Sequence, residues 1–191
     1  MGQADADVAV LNLGGIANLS LLPATSQGEA TGTVRGFDCG PANALLDHWG
    51  QLHRGQPYDA GGAWSARGTV HAALLDLFLQ EPYFTQALPK STGRDLFNPA
   101  WLDAQLAKLP VPPAAADVQA TLAELTARSC AEGLLRYGPQ TRELLVCGGG
   151  ARNDDLMGRL RRHLPRLDLR TTAVRGLPPQ QLEAPPFTWL A

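Results

Sequence analysis

The sequence predicts an α/β domain in which a mixed sheet is flanked by helices, and three observations lead there. The first is Leu11-Asn12-Leu13-Gly14-Gly15-Ile16-Ala17-Asn18-Leu19-Ser20, two apolar runs around a glycine pair, which reads as two strands joined by a very tight turn. The second lies near the other end, where Leu144-Leu145-Val146-Cys147 runs into Gly148-Gly149-Gly150 and then a helical pattern. The third is the change of period between them, from Pro41 to about Tyr137, where apolar residues recur at helical spacing. A strand-rich start, a helical middle and a strand–helix–strand end should close into one sheet containing both glycine-bearing strands.

The elements follow in order. Two paired strands occupy the start from Val8, and a third, Thr33-Val34-Arg35-Gly36-Phe37, follows a polar loop over 25–32. Pro41 suits a first helical position, with Ala44, Leu45, Leu46, Trp49 and Leu52 on one face. Val70, Leu74, Leu75, Leu77 and Phe78 repeat the helical pattern, as do Leu122, Leu125, Ala131, Leu134 and Leu135. Pro110-Val111-Pro112-Pro113 is a stiff connector between helices. A strand over 144–147, a helix over 154–164 and a strand over 167–171 complete the chain's regular part.

Composition narrows the function classes. The chain has 191 residues, 45% hydrophobic, enough for one sizeable core. A net charge of -2 gives no electrostatic case for nucleic acid or a membrane surface. Arg152, Arg159, Arg161, Arg162 and Arg166 form a local basic stretch that reads as a solvated helix flank rather than a binding patch. Cys39, Cys130 and Cys147 are odd in number and far apart, so neither a disulfide framework nor a metal motif is expected. That cysteine usage suits a reducing compartment; no apolar run approaches a membrane span, and the start lacks a signal peptide's charged and apolar regions. His48, His53, His71 and His163 lack metal-ligand spacing and fall on helical positions expected to be exposed.

Several residues suit chemistry. Glycine pairs let a backbone approach a ligand closely, and a phosphate is the usual one, so Gly14-Gly15 is either a phosphate loop or a plain turn. Asp38, expected just after the third strand, either acts on a ligand at the strand's carboxyl end or caps the helix near Pro41. Asn43 and Asp47, four apart on that helix, share a face toward the same crevice. In Gly55-Gln56-Pro57-Tyr58-Asp59-Ala60-Gly61-Gly62-Ala63-Trp64-Ser65, Asp59 and the glycines read as a loop with Ser65 as a helix cap. Pro89-Lys90-Ser91-Thr92-Gly93-Arg94-Asp95 offers two cations and two hydroxyls, either a ligand loop or a turn laced with salt bridges.

In their order these segments resemble the anhydro-N-acetylmuramic acid kinase family. The matching runs are Asn12-Leu13-Gly14-Gly15-Ile16-Ala17-Asn18, Gly36-Phe37-Asp38-Cys39-Gly40-Pro41-Ala42-Asn43 and Gly55-Gln56-Pro57-Tyr58-Asp59-Ala60-Gly61-Gly62. They continue with Pro89-Lys90-Ser91-Thr92-Gly93-Arg94, Asp117-Val118-Gln119-Ala120-Thr121-Leu122 and Val146-Cys147-Gly148-Gly149-Gly150-Ala151-Arg152-Asn153, then Glu183-Ala184, Phe187 and Trp189-Leu190-Ala191. The resemblance runs from Val8 onward. It implies an actin-like ATPase (ribonuclease H-like) fold, the second half of a two-domain kinase. Residues 8–191 would be the carboxy-terminal domain with a helical insertion at about 41–137, and the amino-terminal phosphate-loop domain is expected to be absent.

The implied reaction uses ATP and Mg²⁺ to open the 1,6-anhydro bridge of anhydro-N-acetylmuramic acid and phosphorylate O6, in peptidoglycan recycling. The carboxylate matching Asp38 would be the general base for the attacking water. Asn12, Gly14 and Gly15 match the second phosphate loop, and Gly148, Gly149 and Gly150 the adenosine site. Asn43, Lys90, Arg94 and Glu183 would serve the sugar, with no protein metal site. A homodimer, or pairing with the missing amino-terminal half, is implied as partner. A non-catalytic remnant that folds and associates is the alternative. Cys39 stands where the family usually has Thr, and Pro185-Pro186 falls inside the family's closing helix, where proline costs about 3 kcal/mol.

Overall fold

The computed structural model describes residues 7–26, 29–30 and 32–172. Strands β1 (Val8–Leu13) and β2 (Ile16–Leu22) form the expected hairpin around Gly14-Gly15. The loop expected over 25–32 contains a small ladder of β3 (Thr25–Ser26) and β4 (Glu29–Ala30). Strand β5 (Arg35–Pro41) returns antiparallel to β2. Helices α1 (Asn43–Arg54), α2 (Ala72–Leu79), α3 (Pro99–Leu106) and α4 (Ala115–Tyr137) follow. Strand β6 (Glu143–Cys147), helix α5 (Asp154–His163) and strand β7 (Asp168–Thr171) end the described chain. The sheet order is β5-β2-β1-β6-β7, with β6 parallel to both β1 and β7. The hairpin and the strand before Gly148 therefore share one mixed sheet, as expected.

Two boundaries differ from the sequence reading. The third strand does not stop before Asp38 but continues to Pro41, because Asn18 to Ile16 of β2 pair with Asp38 to Pro41 across a register shift. The first helix consequently starts at Asn43 rather than Pro41.

Period-two alternation decides which face of the sheet is the core. Ala9, Leu11, Leu13, Ala17, Leu19, Leu21, Phe37 and Cys39 point to one side and pack on Ala127, Cys130, Ala131 and Leu134 of α4 and on Leu156, Met157 and Leu160 of α5. A second core lies within the helical region, where Leu45, Trp49, Leu74, Phe78, Phe97, Trp101 and Leu102 surround Val118, Leu122 and Leu125. Helix α4 is the shared wall: its first half packs on helices and its second half on the sheet. Leu74, Leu75, Phe78, Leu122, Leu125 and Leu134 are buried, and Leu135 is the exposed exception at 54%.

Helices α4 and α5 are also joined by charge. Arg159 is buried, and its Nε and Nη1 donate to Asp155 at 2.9 Å and to Glu124 at 2.8 Å. The other Glu124 oxygen meets His163 Nε2 at 2.6 Å. Arg159 therefore does not belong to a solvated flank; the helical period turns it inward, toward α4. His163 is likewise engaged, and His71 caps α2, its Nδ1 accepting from Leu74 N–H at 3.2 Å.

Truncating Arg159 would leave two half-buried carboxylates without their cation. We expect Arg159→Ala to cost about 3–5 kcal/mol in urea unfolding. The hydrogen bonds from Arg159 and His163 hold the Glu124 carboxyl below its ordinary value despite burial, which opposes them. A depressed folded value stabilises the protein above the ordinary carboxylate range and loses that contribution as pH falls through it. Glu124→Gln should flatten this acid limb in urea midpoints measured from pH 6 to pH 3.

Candidate active site

The alternation that buries one sheet face sets polar residues on the other. Asn12 pairs across the hairpin with Asn18, and Asn18 pairs with Asp38, so the three form a row across β1, β2 and β5. Asn18 Nδ2 donates to Asp38 Oδ1 at 2.9 Å. The opposite oxygen, Oδ2, accepts from Ser91 Oγ at 2.8 Å and from the Thr92 amide at 2.9 Å. Of the roughly four acceptor positions of a carboxylate, the described residues use three, and one on Oδ1 remains among them. The chain around Asp38 is fixed as well, since its carbonyl accepts from Tyr83 Oη at 2.7 Å. Asp38 thus does not cap the following helix: it lies inside a strand and faces the 89–94 loop.

That helix is capped by backbone instead. The Gly15 carbonyl accepts the amides of Ala42 and Ala44 at 3.0 and 3.1 Å, and the Gly14 carbonyl accepts that of Asn43 at 3.0 Å. Asn43 Nδ2 adds a bond to the Leu13 carbonyl at 2.8 Å. With both turn carbonyls committed to α1, the turn's amide N–H groups are the donors it keeps for an anion. Arg94 arches over the same turn: a Cβ on Gly15 would stand 3.1 Å from its Nη2. One loop therefore touches Asp38 through Ser91 and Thr92 and the hairpin turn through Arg94.

Gly148, Gly149 and Gly150 come to the other side of the hairpin. Gly148 has φ 79°, and a Cβ there would meet Asn12 Oδ1 at 2.5 Å and the Leu13 carbonyl oxygen at 2.7 Å. A Cβ on Gly150 would stand 2.6 Å from the Leu13 Cβ. These two glycines are needed for close packing of the β6 end on β1, while Gly149 is exposed and faces a cleft. The buried Asn12 Oδ1 beside Gly148 has no hydrogen-bond partner among the described residues.

The cleft has a volume of about 360 Å³ and is lined by Asn43, Leu46 and Asp47 of α1, by Tyr58, Asp59 and Gly61, and by Gly149, Arg152 and Asn153. Its wall over 58–62 is pinned. Asp59 accepts the amides of Trp64 and Ser65, each at 2.9 Å, and so holds the entry to the short turn Ser65–Arg67. Ser65 is not the cap expected from sequence; it is fully buried and donates to Asp155 Oδ2 at 2.8 Å. Asn153 caps α5 through Leu156 N–H at 2.9 Å. Burial pushes the Asp47 carboxyl up to about 6, partly offset by the charge of Arg94.

The structure thus brings Asn12, Gly14, Gly15, Asn43, Gly148, Gly149 and Gly150 together around the hairpin turn, with Asp38 and Arg94 joined to it by one loop. Asn43 and Asp47 do share a face, but they open into this cleft. Lys90 turns aside, its ammonium 4.7 Å above the Tyr83 ring, and burial lowers its pKa. Glu183 and Pro185-Pro186 lie outside the described residues. Sequence reasoning missed the Ser91 and Thr92 clamp on Asp38 and the cleft roles of Tyr58 and Arg152. The segment Tyr58-Asp59-Ala60-Gly61-Gly62 held the only signal, an aromatic beside a carboxylate and two glycines.

No helix among the described residues is long and apolar enough to cross a membrane, and no group of three His, Cys, Asp or Glu among them is arranged to hold a metal ion. The fold is shared with solved structures at low identity. A xylulose kinase from Rhodospirillum rubrum superposes with a TM-score of 0.54 at 17% identity, over 86% of this chain and 34% of that one. A second, from Brucella ovis, gives 0.51 at 14% identity over 98% and 43%. These are actin-like ATPase folds of sugar kinases. Sequence relatives are much nearer. The anhydro-N-acetylmuramic acid kinase of Variovorax paradoxus is 58% identical over 190 residues, 99% of this chain and 50% of that protein. That of Albidiferax ferrireducens is 52% identical over 204 residues, 100% of this chain and 52% of that protein. The chain spans about half the length of the curated relatives it matches. The family model described as anhydro-N-acetylmuramic acid kinase matches residues 1–191, and the chain belongs to that family.

Proposed function

We propose that these residues are the carboxy-terminal lobe of a kinase that uses ATP to open the 1,6-anhydro bridge of anhydro-N-acetylmuramic acid and phosphorylate O6, in cytoplasmic peptidoglycan recycling. The observation that carries this reading is the clamped carboxylate of Asp38. Bridge opening needs a base for a water at the anomeric carbon, on the side away from the oxygen that receives the phosphoryl group. Asp38 suits that role, because Asn18, Ser91 and Thr92 fix its orientation and one acceptor position on Oδ1 is free for the water's proton.

The fit of ATP rests on the same neighbourhood. The amides of Gly14 and Gly15 with the Arg94 guanidinium suit phosphates, and the unpartnered buried Asn12 Oδ1 beside them suits a hydrated cation. The cleft at Gly149 suits the nucleoside. Mg²⁺-ATP supplies the phosphoryl group, with the metal neutralising charge across the phosphates. The chain's own part is to orient water, sugar and phosphates. Asn43, Lys90, Arg94 and Glu183 are assigned to the ligands on this reading, Lys90 from its place over the Tyr83 ring.

Two outcomes test the proposal. In the protein that carries this chain together with an amino-terminal lobe, Asp38→Asn should lower kcat about 10²–10⁴-fold. ATP affinity measured by calorimetry should be unchanged. Turnover indifferent to this substitution would remove Asp38 from the role. Phosphoryl transfer needs charge neutralisation from both sides of the phosphates, so residues 1–191 alone should show no transfer to the anhydro sugar in a radiolabelled-ATP assay. Transfer by these residues alone would refute the one-lobe reading.

A further inference from the structure

Two carboxylates line the cleft, and they are in different states. Asp59 is committed, each oxygen accepting a backbone amide. Asp47 is half-buried, and among the described residues no hydrogen bond or ion pair engages its carboxylate; Arg94 acts on it only through charge. A partly buried carboxylate without a partner destabilises the fold that holds it. The same burial is what raises its pKa, to about 6, against the opposing charge of Arg94. Groups that oppose folding in this way mark places kept for a ligand.

Position narrows the ligand. Asn43 sits against the hairpin turn and Gly150, and Asp47 follows it one helical turn along α1, about 6 Å further from the turn. The same cleft is lined by Tyr58, an aromatic ring that is 62% exposed. A molecule with anionic groups at Gly14-Gly15 and its body in this cleft would have Asn43, a carboxylate acceptor and an aromatic ring along its walls. We propose that Asp47 accepts the vicinal hydroxyls of a nucleotide's ribose and that Tyr58 receives its base. This rests on the ATP reading given above and adds the residue that selects a ribonucleotide. A carboxylate is the acceptor-only group that takes two neighbouring hydroxyls at once. The anhydro amino sugar carries an acetamido group at C2 and an ether at C3, so it offers no such pair.

The test uses the protein that carries this chain, with ADP and 2′,3′-dideoxy-ADP in magnesium, by isothermal titration calorimetry. ADP should bind about 10-fold or more tighter than the dideoxy analogue, as expected for hydroxyls on a charged acceptor. In Asp47→Asn that gap should shrink to about 3-fold or less, while the thermal midpoint near pH 8 rises because an unpaired buried charge has gone. Equal affinities in the unaltered protein would overturn the assignment whether or not the variant folds, and so would a variant that keeps the full gap. A variant that instead loses its magnesium dependence would overturn it in favour of a cation site. ADP that fails to bind at all would remove the ATP reading together with this one; ADP that binds without ribose discrimination would remove only the role of Asp47.

Discussion

The docking of α1 onto the hairpin turn is the contact on which the rest of the site depends. The first amides of a helix need acceptors, and Ala42, the residue before α1, has no side chain that could supply one. The Gly14 and Gly15 carbonyls supply them, and Asn43 reinforces the joint through Leu13. Each helix amide gains a partner, so the joint is worth on the order of 1 kcal/mol per bond. It also fixes direction: α1 leaves the sheet at the hairpin, so Leu46 and Asp47 must face the glycine turn after β6. The cleft is a consequence of how one helix start is satisfied.

The glycines complete that arrangement from the opposite side. Because Gly148 and Gly150 lack Cβ atoms, the end of β6 closes on Asn12 and Leu13, and the turn Gly149–Arg152 reaches the cleft. Part of the glycine pattern therefore serves packing, and of the three only Gly149 is exposed at the cleft. The loop over 89–94 ties the second functional group to the first. It clamps Asp38 at one end and covers Gly15 at the other, so the carboxylate and the turn cannot shift independently.

Rigidity further out comes from α4. Its two halves serve two cores, and its Glu124 anchors Arg159, which holds Asp155, which holds Ser65. This chain of charge-assisted bonds runs from the helical core to the cleft wall at Asp59–Gly62. Beside this bonded wall, Asp47 has no partner among the described residues, and the same contrast separates carboxylates that build the fold from those open to a ligand.

Local pattern was enough for much of this. The period-two runs of β1 and β2, the glycine pair between them, the helical spacing of α1, α2 and α4, and the strand before Gly148 were legible because each depends on neighbours in sequence. The ordered motifs also pointed to the family and to Asp38. Four things were decided only by tertiary structure. Strand pairing with β2 carried β5 past Asp38 to Pro41 and delayed α1 to Asn43. The inward turn of Arg159 depended on Glu124, 35 residues away in sequence, and the clamp on Asp38 on Ser91, 53 away. Ser65, expected as a cap, was buried because Asp155 lay 90 residues on. Sequence determines which residues can bond; which donor meets which acceptor is fixed only when the chain brings distant segments within about 3 Å.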